Sequence, residues 1–484
     1  MTTPHHASDR SATLTAQLTL VEQLVQWAEH RIQSQVFRPG MRMPSVRELA
    51  AERGVSRFTV VEAYERLVAR GHLQARRGAG FFVREPVANP ALASRSVPAA
   101  AQKIDMGWLL RNMQSGLPAH LSPGSGFLPP ELCGGDLIKA GLRALASTPS
   151  TQFTHTAPAQ GYLPLREQLA RKLAEVDIAA TPAHILTTSG VTQAFDLVAR
   201  TFLRPGDSVI VGDPAWSAQL GVLSMMGVHL IGMPYTPQGP DVQALGGLIA
   251  SHNPKMLVIN SVLHNPTGTV LSAAAAYQLL RLAEAHDMVI VEDDIYSDLL
   301  PTGLPAARLA SLDQLKRVIY MSSFSKMLVP SIRVGFLAAS PDVAETLGNQ
   351  KLLTSLGTPE INERIVYRVL TEGSYRKHSL RVQQALDGLR EPMFKRMEAL
   401  GLKPFCRPQA GSLGWFNAGV DTNMLCALAL EAGYLFAPGA LFSPSQTPNT
   451  WLRMNVATSH DPAMLQWLAQ TLEQLHRRST TAAS

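Results

Sequence analysis

SSFSKMLVPSIRVGF, residues 322–336, holds a single lysine, Lys326, between two apolar stretches with the composition of β-strands. A lysine in that position is unusual, because burial of an ammonium group is costly and favours loss of its proton. A neutral lysine amine is a nucleophile that forms a Schiff base with a carbonyl group. The stretch therefore predicts covalent chemistry at Lys326.

Phosphate-binding groups flank this lysine. Ser323 stands three positions before Lys326, and Arg333 stands seven positions after it. A hydroxyl donates one hydrogen bond to a phosphate oxygen, and a guanidinium group donates a bidentate pair. A phosphate that carries a carbonyl able to condense with lysine is pyridoxal phosphate (PLP). A surface lysine in a loop after a strand has the same local pattern, so the rest of the chain must decide between the two.

The composition is that of a globular protein of two or three domains. Of 484 residues, 46% are hydrophobic and 17% are charged. Three cysteines, Cys133, Cys406 and Cys426, lie far apart and form no CxxC pair, which argues against a disulfide framework and a zinc site, so no metal is expected. No apolar segment has the length of a signal peptide core or a membrane span. We therefore expect a cytoplasmic protein without a membrane partner.

Positive charge is concentrated at the N-terminus. The first 85 residues hold 12 arginines, no lysine and 8 acidic residues, a net charge of +4 out of +6 for the whole chain. A small arginine-rich segment beside a nearly neutral remainder favours a nucleic-acid-binding module.

Three helices are predicted within residues 15–84. Apolar residues at helical spacing predict the first helix over residues 17–36. Ser45 and Glu48 form an S-x-x-E capping box for a short second helix that ends at Gly54. Ser56 caps a third helix, and Gly71 follows its end. Two short helices joined by a tight turn form a helix-turn-helix, whose second helix reads base edges.

A basic hairpin follows the third helix. HLQARRGAGFFV, residues 72–83, predicts two strands with Arg76, Arg77 and Gly78 at the tip, although a solvated hairpin has the same pattern. Residues 43–83, MPSVRELAAERGVSRFTVVEAYERLVARGHLQARRGAGFFV, resemble the winged helix-turn-helix of GntR-type bacterial regulators. This resemblance implies contact with operator DNA through Ser45, Arg47, Ser56, Arg57 and Thr59, and contact of the wing, with Arg76 and Arg77, with phosphates or the minor groove.

The remainder of the chain has an α/β pattern. Residues 85–104 are rich in proline, alanine and serine and are expected to be a flexible linker. From residue 105 onward, helical stretches such as residues 272–285 separate apolar strands predicted at residues 208–211, 256–260, 288–291, 318–321 and 334–339. Strands that alternate with helices predict a mostly parallel sheet with a ligand site at its strand ends.

Polar or aromatic residues follow several of these strands. Gly190 opens a helix whose first N–H groups, Val191 and Thr192, can bind a phosphate, although a plain helix start has the same pattern. Trp216 in GDPAW follows a strand and is either a stacking ring or a core residue. Asp293 in VEDDIY ends another strand, where a buried carboxylate can keep a pyridine nitrogen protonated.

Two more side chains can contact a phenolate oxygen of the same ring. Asn265 lies in the HNPTG turn, and Tyr296 follows Asp293 by three positions. The order GVTQ, DPAW, NPTG, EDDIY, SFSK, R resembles the fold-type-I PLP enzymes of the aspartate aminotransferase family over residues 120–470, GYLPLREQLARKL at residues 161–173 included. The resemblance implies a mostly parallel sheet of the seven-stranded type and a small C-terminal α+β subdomain at about residues 345–480.

The resemblance also implies a role for each site residue. Lys326 forms the internal aldimine with PLP, Asp293 contacts the pyridine nitrogen, and Asn265 and Tyr296 contact the ring oxygen. The phosphate is assigned to Ser323, Arg333, Gly190, Val191 and Thr192, and the stacking position to Trp216. Arg453 in WLRMNVA matches the arginine that binds a substrate carboxylate, although a surface arginine remains an alternative.

Two positions depart from the family pattern. The stacking residue is Trp216, where the family usually has Tyr or Phe. Before Gly161 the family commonly has a tyrosine that reaches the phosphate of the neighbouring subunit; here the stretch reads QFTHTAPAQ, and Phe153, His155 or Thr156 takes that place. These departures bear on catalytic efficiency rather than on cofactor binding.

A GntR-like module joined to an aminotransferase-like domain over residues 105–484 resembles the MocR subfamily of regulators. The resemblance implies a homodimeric transcription factor that senses PLP, or an amino acid or amine, through aldimine chemistry at Lys326. The alternative is an active aminotransferase with an accessory DNA-binding module, because every group for transamination is predicted to be present. Neither the effector nor the operator follows from the sequence.

Overall fold

The structure, a computed structural model, describes residues 19–34, 36–76, 78–84 and 104–483. The chain divides into two units, Met1–Ser96 and Val97–Ser484. Most of the linker expected at residues 85–104 lies outside the described residues, so its flexibility stays a prediction. Among the helices of the described ranges, none combines the length and the apolar character needed to cross a membrane.

Capping residues start and stop the helices of the first unit. The Ser45 hydroxyl accepts a hydrogen bond from the Glu48 N–H at 3.2 Å, and the Glu48 carboxylate accepts one from the Ser45 N–H at 2.9 Å. This is the predicted capping box. Ser56 accepts from the Thr59 N–H at 3.0 Å. Gly54 ends the second helix at φ +64°, a conformation that costs glycine nothing.

The three helices pack around one apolar core and carry a two-stranded wing. The third helix buries one face against this core, with four positions that are at most 1% exposed: Val60, Ala63, Tyr64 and Leu67. The wing strands pair antiparallel, with Leu73 opposite Val83. The elements are α1 (Leu20–Gln33), α2 (Val46–Arg53), α3 (Arg57–Ala69), β1 (Leu73–Arg76) and β2 (Gly80–Val83).

A large sheet forms the centre of the second unit. Its strands are β3 (Ile185–Thr188), β4 (Ser208–Asp213), β5 (His229–Thr236), β6 (Gly239–Pro240), β7 (Met256–Ile259), β8 (Val289–Asp293), β9 (Val318–Ser323) and β10 (Gly335–Ala338). Their order is β3-β10-β9-β8-β7-β4-β5-β6. Five strands from β9 to β5 run parallel, whereas β10 and β6 run antiparallel to their neighbours. The predicted α/β sheet is confirmed, with the two-residue β6 as an eighth strand.

Helices connect the strands and bury the apolar faces of the sheet, which is why the central strands are continuously apolar rather than alternating. The helices of the second unit are α4 (Met106–Met113), α5 (Gly135–Ala146), α6 (Leu163–Ala174), α7 (Val191–Phe202), α8 (Ser217–Met225), α9 (Val242–His252), α10 (Ala273–Ala285), α11 (Leu309–Asp313), α12 (Pro341–Ser355), α13 (Glu360–Thr371), α14 (Ser374–Ala399), α15 (Thr422–Glu431) and α16 (Pro462–Ala483).

A second, antiparallel sheet lies in the C-terminal part. It consists of β11 (Lys403–Pro404), β12 (Leu413–Asn417), β13 (Ala437–Pro438) and β14 (Trp451–Asn455), in the order β11-β12-β14-β13. Together with the helices around it, this sheet forms the α+β part that was expected at about residues 345–480. Its inner strand β14 carries Arg453, opposite Trp415 on β12.

Candidate functional site

The five predicted DNA contacts of the helices lie at the surface of the first unit. Ser45, Arg47, Ser56 and Arg57 are exposed, and Thr59 is half-buried. The first turn of α3 contains no acidic residue, so the positive end of its dipole is not neutralised there. The Ser45 hydroxyl accepts a bond from its own helix and retains its O–H as a donor. Exposed donors around a helix N-terminus suit a phosphate backbone.

The wing presents one described arginine. Arg76 ends β1, is exposed, and places its guanidinium 4.5 Å from the ring centroid of Phe82. Arg77 lies outside the described residues. Contact of the wing with DNA therefore stays a prediction for both arginines.

In the second unit, neighbouring parallel strands end on one side of the sheet. Asp293 ends β8, Lys326 lies in the turn after β9, and Asn265 follows β7. Asn260 joins two of these segments, because its amide donates to the Asp293 carbonyl at 2.6 Å and accepts from the Asn265 N–H at 2.7 Å. The carboxyl ends of parallel strands are where ligands bind in open α/β sheets.

Lys326 is half-buried in the turn after β9. Its Nζ donates to the Gly126 carbonyl at 2.9 Å and lies 4.1 Å from the ring centroid of Phe127. Burial, and next the charge of Arg453, lower the pKa of Lys326 to about 7, while Asp293 opposes the shift. A large fraction of this amine is therefore neutral, and nucleophilic, at neutral pH.

Asp293 is a buried carboxylate without an arginine partner among the described residues. One of its oxygens accepts from Gln219 Nε2 at 3.0 Å, and the other accepts from the Ile295 N–H at 3.2 Å. Burial is the main cause that raises the pKa of Asp293 to about 7, with a smaller contribution from Asp294. Such a group readily shares a proton with a basic ring nitrogen.

Arg453 is 2% exposed and has no carboxylate partner in the described part of the chain. One Nη donates to Asn265 Oδ1 at 3.1 Å and the other to the Gly124 carbonyl at 2.6 Å, whereas its Nε has no hydrogen-bond partner there. Burial lowers the pKa of Arg453 to about 10. A buried guanidinium that lacks a counter-ion is suited to bind an incoming carboxylate. The alternative of a surface arginine is wrong.

The two predicted ring-oxygen ligands contact each other. Asn265 Nδ2 donates to the Tyr296 hydroxyl at 3.3 Å, and both side chains are buried. Burial raises the pKa of Tyr296, which keeps its hydroxyl protonated and able to donate. Two donors therefore meet beside the guanidinium of Arg453.

An uncapped helix start lies beside Arg333. Gly190 precedes α7 at φ +91°, and no side chain caps the helix. The first N–H groups, those of Val191 and Thr192, have no acceptor inside the helix. A Cβ at Gly190 would lie 2.7 Å from the Arg333 guanidinium, which donates to the Ser189 carbonyl, and the φ of +91° favours glycine at this position. The arrangement is suited to a phosphate group.

The contacts of Ser323 and Trp216 give less direct support for a role in cofactor binding. The Ser323 hydroxyl, which is buried, lies 3.1 Å from the Val334 carbonyl oxygen, to which it can donate, and 3.1 Å from Ser325 Oγ. It stabilises the turn that carries Lys326, and its contact with a phosphate stays a prediction. Trp216 precedes α8, is half-buried and packs against an apolar core cluster of the second unit, so its stacking on a cofactor ring stays a prediction.

Sequence reasoning missed three contributors. Gln219 lies three positions after Trp216 and binds Asp293, a helical spacing that could have found it. Gly124 and Gly126 supply the carbonyls that bind Arg453 and Lys326, and a Cβ at Gly126 would lie 3.5 Å from the Lys326 Nζ. The two glycines in SPGSG were a signal of close backbone approach.

The three candidates for the missing tyrosine all lie at the surface of the chain. Phe153 is 40% exposed, Thr156 is exposed, and His155 is exposed with its Nε2 3.2 Å from a Glu360 carboxylate oxygen. The structure does not bring any of them into the site described above, and which of them replaces the tyrosine stays open.

These residues fit pyridoxal phosphate. The fit rests on a nucleophilic lysine, a buried acid of raised pKa, paired donors at Asn265 and Tyr296, and a glycine-arginine phosphate site. The unpaired guanidinium of Arg453 adds a place for a ligand carboxylate.

Each of the two units matches the model of a known protein family. The model "Aminotransferase class I and II" matches residues 132–472, and "Bacterial regulatory proteins, gntR family" matches residues 20–83. The chain belongs to the class I and II aminotransferase family. Its gntR-family segment lies N-terminal to the aminotransferase domain, which confirms the predicted MocR-like architecture.

Individual relatives of this aminotransferase-family chain are of two kinds. The HTH-type transcriptional regulator TauR of Rhodobacter capsulatus is 29% identical over 94% of this chain and 96% of its own length. The 2-aminoadipate transaminase of Thermus thermophilus is 31% identical over 70% of this chain and 86% of its own length. The match to the regulator therefore covers nearly the whole chain, whereas the match to the transaminase covers 355 residues of it.

A solved aminotransferase has the same fold. LysN, the α-aminoadipate aminotransferase of Thermus thermophilus, was solved with N-(5'-phosphopyridoxyl)-L-leucine. It is 27% identical, with a TM-score of 0.67, and the match covers 76% of this chain and 95% of LysN. A cofactor-derived ligand is thus bound by a relative with this fold.

Proposed function

We propose that this protein is a DNA-binding transcriptional regulator that binds PLP at Lys326 and responds to an amino acid or amine. The observation that carries the proposal is the presence of both sites in one chain, matched over 94% of its length by the regulator TauR. The exposed residues of α2 and α3 contact operator DNA, and the buried residues around Lys326 contact the cofactor.

The residues of the second unit have distinct tasks in this proposal. Bound PLP supplies a carbonyl that forms a reversible covalent bond with amines. Lys326 would hold the cofactor, which its low pKa favours because the neutral amine is nucleophilic, and the amine of an effector would compete with Lys326 for the same carbonyl. Arg453 binds the carboxylate of an amino acid, because its guanidinium is buried without a counter-ion.

Asp293 and the phosphate site hold the cofactor itself. Asp293 shares a proton with the pyridine nitrogen and is oriented by Gln219. Arg333 and the open start of α7 at Gly190 bind the phosphate, and Trp216 covers the ring. An effector changes transcription only if its affinity differs between two arrangements of the protein.

We also propose a homodimer. Four apolar side chains near the phosphate site are exposed in the single chain: Leu352, Leu353, Leu356 and Ile361, of which Leu353 is 89% exposed. Ser355, in the same segment, accepts a hydrogen bond from Gln193 in the first turn of α7. A second copy that covers this surface excludes water from the phosphate site. Leu353→Asp is expected to yield monomers in sedimentation equilibrium, whereas Met225→Asp, at an equally exposed position on α8, retains the dimer.

The proposal is tested by an absorbance titration. Purified protein is saturated with PLP and titrated with amino acids, and with amines that lack a carboxylate, in the presence and absence of DNA from upstream of its own gene. We expect a spectral change whose midpoint differs with and without that DNA. A protein that stays colourless with excess PLP, or that binds the upstream DNA no more tightly than random DNA, contradicts the proposal.

An active aminotransferase is the second candidate. It is favoured by the completeness of the site and by 31% identity to a transaminase. Steady-state formation of a keto acid from an amino acid, with 2-aminoadipate among the substrates, distinguishes the two. Fast turnover without specific DNA binding supports the enzyme and overturns the regulator.

A further inference from the structure

Phe58 is an apolar side chain that the folding of the first unit does not use. It is the second residue of α3, and its side chain is 77% exposed. The aromatic side chains in this unit's core, or packed against it, are Trp27, Phe37, Tyr64 and Phe81, and Phe58 is not among them. A single exposed apolar side chain is ordinary on a protein surface, so the role of Phe58 has to follow from what surrounds it.

The surroundings of Phe58 favour a polyanion as its partner. Arg57 precedes it and is exposed, Arg47 on the preceding helix is also exposed, and the first turn of α3 contains no acidic residue. Neither arginine has a carboxylate partner in the described part of the chain. An apolar protein partner would have to leave these charges unpaired, whereas DNA pairs them with phosphates.

The position on the helix determines what the ring meets in DNA. Residues at the N-terminal end of a recognition helix reach base edges in the major groove. The apolar group on those edges is the C5-methyl of thymine, which aromatic side chains contact. We propose that Phe58 contacts the C5-methyl of one thymine in each half-site and is a specificity-determining residue for the operator.

This inference rests on the proposed DNA-binding function and is tested separately from it. A specific duplex is first selected from random sequences by the full-length protein. Each thymine of that duplex is then replaced in turn by deoxyuridine, which removes only the methyl group. At one position per half-site we expect wild-type affinity to fall about fourfold, the factor for one methyl group at ~0.8 kcal/mol.

Variants assign the effect to Phe58. Phe58→Ala is expected to bind the unmodified duplex more weakly and to be insensitive to deoxyuridine at that position. Leu20→Ala, an exposed apolar residue of α1 at 56%, serves as the control and retains the wild-type ratio. At the same position, cytosine should weaken wild-type binding and 5-methylcytosine should recover part of it.

The outcomes separate the two claims. If no duplex is selected, the DNA-binding proposal fails. If a duplex is selected but no deoxyuridine substitution changes wild-type affinity, or if Phe58→Ala remains sensitive to it, the inference about Phe58 is overturned while DNA binding stands. Unchanged affinity of Phe58→Ala for the unmodified duplex also overturns it and assigns the ring to another partner.

Discussion

The recognition helix and the cofactor site both depend on arginine, but in opposite surroundings. Arg57 is exposed at the start of α3, beside residues close to it in sequence. Arg453 is buried in β14, where it meets Gly124 and Asn265 from distant parts of the chain. Exposed charges cost little on folding and act mainly through long-range, salt-dependent attraction. A buried unpaired charge is costly and is retained for binding.

This difference predicts that substitutions in the two regions affect different properties of the protein. Changes at the DNA surface should reduce affinity for DNA and leave the stability of the fold unchanged. Changes in the buried site should alter ligand binding and the free energy of unfolding together, because the same buried groups contribute to both.

The largest effect is expected at Lys326. Lys326→Ala should abolish the cofactor that borohydride traps covalently, because the substituted chain lacks the nucleophile, while circular dichroism remains that of the wild type. Mass spectrometry of trapped wild-type peptides measures the site. Lys351 is the internal control: it is fully buried and burial lowers its pKa to about 8, yet its Nζ donates to the Ala159 and Thr187 carbonyls. Label on Lys351, or on Lys326→Ala protein, would refute the assignment.

The next largest effect is expected for Arg453→Met, on the binding of an amino acid effector. Loss of a bidentate charge-assisted contact should weaken binding of an amino acid effector roughly 100-fold, or by ~3 kcal/mol. Amines without a carboxylate should bind the variant as they bind the wild type. Because the substitution removes a buried unpaired charge, the melting temperature of the cofactor-free protein should rise. Equal losses for amino acids and simple amines would show that Arg453 does not bind the carboxylate.

Much of the first unit could be predicted from sequence, because its signals are local. The caps at Ser45 and Ser56, the glycine at position 54 and the apolar spacing of α3 each determine structure within a few residues. The helix boundary of α1 was predicted less well, since residues 17–36 become Leu20–Gln33 once Thr19 caps it. Capping by threonine determines that start more strongly than apolar periodicity does.

The buried site was predicted in its members but not in the contacts between them. Asp293, Asn265 and Lys326 follow strands whose apolar composition is evident, and parallel strands bring their ends together. The contacts of Gln219 with Asp293 and of Gly126 with Lys326 join segments 74 and 200 positions apart. Such contacts depend on packing that no local pattern encodes, and so does the absence of a carboxylate beside Arg453 among the described residues.

Arg57→Ala tests the exposed DNA-binding surface. Loss of one base contact should weaken operator binding by about 1–3 kcal/mol without change in the melting temperature. Arg66→Ala is a matched control on the same helix, because Arg66 pairs with Glu62 at 2.7 Å near the C-terminal end of α3. Fluorescence anisotropy with the selected duplex measures both. Equal losses in the two variants would show that Arg57 contributes only positive charge and makes no specific base contact.

A pH effect of about tenfold distinguishes Lys326 from a solvent-exposed lysine. Because the pKa of Lys326 is lowered to about 7, its neutral fraction, and hence the rate at which PLP is incorporated covalently, should rise about tenfold from pH 6 to pH 8 and then level off. A lysine in a short peptide, with an ordinary pKa near 10.4, should instead react faster with each step up to about pH 10. Stopped-flow absorbance of cofactor-free protein mixed with PLP measures the rate. If the rate for the protein depends on pH as the rate for the peptide does, the amine of Lys326 is solvated. The proposed contrast between a solvated DNA surface and a desolvated cofactor site would then be wrong.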